Sequence, residues 1–161
     1  MSDYGIDGYQ VRWLSGLATI AAAHDERLQA LVGRSLDHAW LAWDLDDDSW
    51  WEVCPVVLDF GGEQVEINHQ KFDDLSITWN SVDPARPVRW PGTPEFRLAW
   101  RDDAVPELAG LQGGTLEAVE LVEWTGNDMA SGMVSVRFTL TGGTLTVHNA
   151  LDENGLEFEK P

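Results

Sequence analysis

Residues 65–75, VEINHQKFDDL, alternate apolar and polar side chains and then run into an acidic turn. Residues 145–156, LTVHNALDENGL, repeat that outline eighty residues later. Sliding the chain by eighty without a gap sets residues 28–67 against 108–147, with eight identities in forty positions. Leu28, Leu31, Gly33, Leu36, Leu41, Asp48, Val56 and Gly62 meet Leu108, Leu111, Gly113, Leu116, Leu121, Asp128, Val136 and Gly142. The similar pairs keep the apolar pattern: Leu58 with Phe138, Phe60 with Leu140, Val65 with Leu145 and Ile67 with Val147. After a slip of one residue, FDD at 72–74 meets LDE at 151–153. Self-similarity at a fixed period is a statement about architecture, and it predicts an internal duplication.

Each copy has the same local grammar. A short helical stretch comes first, DERLQALVG or VPELAGLQG, in which leucines three apart share a helix face. Pro106 suits a first helical turn, and Gly33 or Gly113 suits a left-handed stop. Three strands follow, carrying Ala39/Leu41, Val56/Leu58/Phe60 and Val65/Ile67 in one copy. Val119/Leu121, Val136/Phe138/Leu140 and Leu145/Val147 are their counterparts in the other. Glycines in FGGEQ and LTGGT supply the hairpin turns. Residues 75–79 and 156–158 each offer a fourth strand.

Period two gives every strand one apolar and one polar face, and a half-buried sheet of about four strands needs a partner. The expected fold is α+β, mainly antiparallel β. It comprises two pseudo-symmetric helix-plus-strands units packed as a sandwich or a strongly bent sheet. Residues 1–161 read as a single domain. It has an N-terminal helical segment (1–27), unit one (28–79), a Pro/Arg-rich crossover (82–103) and unit two (108–158).

Acidic residues outnumber basic ones by 28 to 10, a net charge of −18. Such a field repels nucleic acid and anionic membranes and attracts basic partners; it also simply favours solubility. The lone Cys54 excludes an internal disulfide and any CxxC site. MSDYGIDGYQ has no basic stretch leading into an apolar run, and no stretch reaches the length of a membrane span. A protein of the reducing cytoplasm is expected.

No GxSxG, P-loop, GxGxxG or Cys–His signature is present, so no catalytic residue and no cofactor is assigned. His69 and His148 fall near equivalent strand ends but lack HxH, HExxH or carboxylates at ligand spacing, which reads as structural. In DLDDDSWWE (44–52), Asp44, Asp46 and Asp48 copy the start of an EF-hand loop. Ser49 then replaces the required Gly, and Pro55 the bidentate Glu. No metal site is expected there. As a loop, Asp44, Asp46, Asp47 and Asp48 with Trp50 and Trp51 form the candidate contact patch for a basic protein, because aromatics anchor and acids steer.

The crossover holds Arg86, Arg89, Arg97 and Arg101 among four prolines. Arg89, Trp90, Arg97 and Trp100 are an alternative ligand-binding set, against the plainer expectation that these arginines neutralise nearby carboxylates.

The profile is similar in a general way to the small acidic immunity proteins that bacteria keep against their own secreted toxins. That resemblance implies a non-enzymatic binding protein that occludes a basic toxin. The alternative is a small-molecule or carbohydrate binder, with Trp40, Trp43, Trp90 or Trp100 lining a groove between the units. An enzyme of unassigned type and a structural subunit are lesser alternatives.

Overall fold

The computed structural model describes residues 4–89 and 97–161. It is mostly antiparallel β, arranged as two sheets. Strands β1 (Trp13–Leu14), β2 (Leu36–Asp44), β3 (Ser49–Trp50), β4 (Val56–Phe60), β5 (Glu63–Gln70), β6 (Asp74–Trp79) and β7 (Leu98–Arg101) form the larger sheet. Its order is β1-β6-β5-β4-β2-β3, with β7 also paired to β2. Strands β8 (Leu116–Glu123), β9 (Val134–Leu140), β10 (Gly143–Asn149) and β11 (Asn154–Glu159) form a four-stranded meander. Helix α1 spans Leu17–Gln29, and the single turn α2 spans Pro106–Ala109 with its proline in the first turn, where the missing N–H is no loss.

The pairing recurs at the eighty-residue offset. Val56 faces Ile67, and Leu58 faces Val65; Val136 faces Val147, and Phe138 faces Leu145. A bulge between Leu36 and His38 against β4 has its counterpart between Leu116 and Ala118 against β9. Gly61 and Gly62 both take positive φ (64° and 95°), as a two-residue type I′ hairpin requires. The sheets bring their apolar faces to one core, where the Phe60 and Phe138 rings stack 5.6 Å apart among Leu58, Ile67, Val136 and Val147.

Two expectations change. The helical segment expected over 1–27 is helical only from Leu17: of the described residues before α1, 4–12 run through a bend and a turn, and Trp13–Leu14 pair as a strand with Trp13 opposite Ser76. Glycines cause this, since Gly5, Gly8 and Gly16 all adopt positive φ. Gly5 is also seated against the crossover, its carbonyl taking the Arg89 N–H at 2.9 Å; a Cβ there would lie 1.6 Å from the Arg89 oxygen.

Nor is the larger sheet half-buried. Its outer face carries a second apolar cluster of Ala42, Val57, Leu98 and Trp100, covered by Tyr9, Val82 and Val88. Glu66, Asn68, Ser76 and Thr78, polar by period two, are buried on that face. The four-stranded sheet does keep a half-exposed outer face.

Candidate functional site

The acidic loop 44–52 is largely engaged with its own molecule. Asp44 is only 4% exposed; its Oδ1 accepts the Asp46 and Asp47 N–H groups and shapes the turn. Asp46 accepts Arg97 through Nε (3.0 Å) and Nη2 (2.6 Å), which holds its carboxyl below the usual range. Asp48 accepts the Trp43 indole N–H at 2.9 Å and lies 3.9 Å from Arg101. Only Asp47 of the four is exposed without a side-chain partner among the described residues. Trp50 and Trp51 are half-buried, packed against the main and the outer cluster respectively.

Among the described residues, the alternative crossover set is engaged within the molecule. Trp100 and Trp43 are buried, Arg97 is turned to Asp46, and Arg101 stands over the Trp43 ring. Arg86 pairs with Asp7 and Asp83. Trp90 lies outside the described residues, and of Arg89 the backbone contact to Gly5 defines the position. Trp40 is half-buried and stacks on His38. Arg86, Arg97 and Arg101 therefore neutralise local carboxylates.

His69 is a buried structural residue. Its ring nitrogens lie 3.0 Å from Asn154 Oδ1 and 3.1 Å from the Val134 carbonyl, both across the interface between the sheets. Burial pushes its pKa down to about 4 against the pull of those two oxygens. His148 sits on the outer face of β10, 3.7 Å from Glu157. The Cys54 thiol is buried and pushed upward by that burial, hence inert. No cluster of metal-ligating side chains occurs among the described residues.

A second surface also combines exposed apolar side chains with carboxylates. The β5–β6 and β10–β11 turns meet end to end: Lys71 N–H donates to Asp152 Oδ1 at 2.8 Å, and Asp152 N–H donates to the Lys71 carbonyl at 2.8 Å. Flanking that junction are Phe72, 47% exposed, and Leu151, 51% exposed. Asp73, Asp152, Glu153 and Glu52 surround them, with Lys71 the local cation, 4.0 Å from Asp74.

Glu52 arrives there from the far end of the acidic loop, because its carbonyl takes both the Asn154 N–H (3.1 Å) and the Asn154 Nδ2–H (3.0 Å). Glu153 feels the crowding: burial first, then Glu52 and Asp152, raise its carboxyl above the usual range. The backbone is strained as well. Lys71, Leu151 and Asp152 hold φ of 54°, 66° and 71°, and non-glycine residues occupy that region at a cost of about 1–2 kcal/mol each.

These turns carry the FDD and LDE segments whose likeness marks the sequence. Their matching composition was visible in the sequence; their exposure and mutual contact were not. Compared with protein families, curated proteins and solved structures, the chain matches none.

Proposed function

We propose that the protein is a non-enzymatic acidic binding protein that sequesters a basic protein partner by occlusion, in the manner of a toxin immunity protein of the bacterial cytoplasm. The observation that carries this reading is the paired turn tip. Phe72 and Leu151 stand exposed, Leu151 itself on left-handed backbone, ringed by Glu52, Asp73, Asp152 and Glu153. Exposed apolar side chains within a carboxylate ring suit a partner that brings its own Lys or Arg, the aromatic anchoring and the charges steering. Glu153 adds a thermodynamic reason, since a docked cation relieves the repulsion that raises its carboxyl.

The duplication belongs to the same proposal. Recurrent register, bulges and glycines support a copied helix-plus-strands unit, the two sheets packed as a sandwich, with both tips brought to one end of the molecule. No helix among the described residues is long and apolar enough to cross a membrane.

The test is affinity capture from the native host with the wild-type protein and the Phe72→Ala and Leu151→Asn variants. Each captured basic protein is then measured by interferometry. A basic partner bound by wild type and weakened about 30-fold or more by either variant fits an anchor residue. Its association rate should fall steeply with added salt. A partner bound equally well by both variants places the interface elsewhere; a partner that is acidic overturns the reading.

A further inference from the structure

Against a net charge of −18, one cavity has no carboxylate in its lining. It has a volume of about 440 Å³ and lies where α1 and the N-terminal residues flank β6. Arg12, His24 and Arg27 supply its charged and titratable side chains; Trp79, Thr78 and Ser81 line it from the sheet.

The donors are set in place. Arg27 lies flat over the Trp79 ring, 4.5 Å from its centroid, and spends only one N–H on Glu63, at 3.1 Å. Trp79 Nε1–H donates to His24 Nδ1 at 3.4 Å, which leaves the imidazole proton on Nε2 as a donor. Arg12 is exposed on the rim, and its guanidinium has no acceptor among the described residues. Burial, then Arg27 and Arg12, hold the His24 pKa below its ordinary 6.5, so both guanidinium charges reach the ring.

The opposite wall offers an acceptor. Thr78 Oγ1–H and Ser81 Oγ–H each donate to the buried Glu66 Oε1 at 2.6 Å, and Ser81 N–H and Gln64 Nε2–H hold Oε2 at 3.0 and 2.7 Å. With its proton spent on Glu66, the hydroxyl oxygen of the half-buried Ser81 has only lone pairs left for an occupant, whereas Thr78 is buried beside Glu66 on the other face of β6. Glu66 itself is fully buried and fully bonded, so it fixes this polarity without entering the cavity.

We propose that this cavity binds a small oxyanion, phosphate or carboxylate, carried on a hydroxyl-bearing molecule such as a sugar phosphate or sugar acid. The oxyanion meets Arg12, Arg27 and His24 Nε2–H, while a hydroxyl donates to Ser81. Guanidinium groups are the cations best matched to such oxyanions.

Calorimetric titration of the full chain with ribose 5-phosphate, gluconate, inorganic phosphate and ribose tests this, alongside amide and indole NMR. Saturable binding of ribose 5-phosphate or gluconate, with the Trp79 indole resonance shifting, is the expected result; which one binds tells a phosphate source from a carboxylate source. Arg12→Gln, at an exposed side chain, should weaken binding about tenfold or more, the scale of one charge-assisted hydrogen bond. Ala23→Glu, which puts a carboxylate on the helix wall, should abolish it. The proposal fails if no probe binds, if both variants bind like wild type, or if inorganic phosphate or ribose binds as tightly as the best of the other two.

Discussion

Gly33 donates its amide to the Leu116 carbonyl at 2.8 Å, and Gly113 returns the same bond to Leu36 at 2.7 Å. Each glycine sits at φ near +90° (94° and 90°) with open space where a Cβ would go. Left-handed backbone alone explains the choice of glycine, since no side chain would clash. Gly33→Ala and Gly113→Ala should therefore each cost about 1–2 kcal/mol. Matched losses in melting temperature of several degrees would be seen by calorimetry. A loss at one position and none at the other would break the equivalence.

His69 makes stability pH-dependent. Its folded-state pKa of about 4 lies below the ordinary 6.5, so protons bind the unfolded chain first. Its contribution is fully present above pH 6.5 and is lost as the pH falls from there to about 4. The full loss is on the order of 3 kcal/mol. Denaturant titrations across that range should show this slope, and NMR should give the His69 midpoint directly. A midpoint above 6.5 would mean that Val134 O and Asn154 Oδ1 outweigh burial.

Asn154 is the polar joint between the sheets. Buried at 1% exposure, its Nδ2 donates to the carbonyls of Glu52 and Cys54 and to Asn68 Oδ1, at 3.0, 2.9 and 2.8 Å. Asn154→Ala strands these acceptors and should cost roughly 3 kcal/mol or more. Asn154→Asp should be worse, because a carboxylate would face those oxygens without a donor. An Asn154→Ala variant as stable as wild type would refute this account.

Leu151 and Asp152 form a turn in which both φ are positive, closed by Ala150 N–H to the Glu153 carbonyl at 2.8 Å. Asn suits the first position of such a turn and Leu does not. Leu151→Asn should raise stability by about 0.5–1 kcal/mol while weakening partner binding. Higher stability with unchanged binding would reduce Leu151 to an ordinary surface residue.

The mainly antiparallel β character, the strands and the hairpins were legible because period-two apolar patterns and glycine turns act locally. What escaped the sequence depends on residues far apart. Glu66 and Asn68 alternate with Val65 and Ile67 as solvent-facing residues would, yet residues 4–14 and 81–82 cover that face. Gly5, Gly8 and Gly16 were the available warning that residues 4–14 are not helical. Asp46 and Asp48 read as free charges because Arg97 and Arg101, about fifty residues away, are not visible as partners. Phe72 and Leu151 were legible as a repeated pair, but nothing local says that Lys71 and Asp152 would join their turns.

The N-terminal residues seal the back of the larger sheet, fastened where Gly5 meets Arg89 and Trp13 meets Ser76. Clipping that strap by a protease would bare Ala42, Val57 and Trp100 as one greasy panel. A chain cut between this strap and α1 should therefore aggregate more readily than the uncut one.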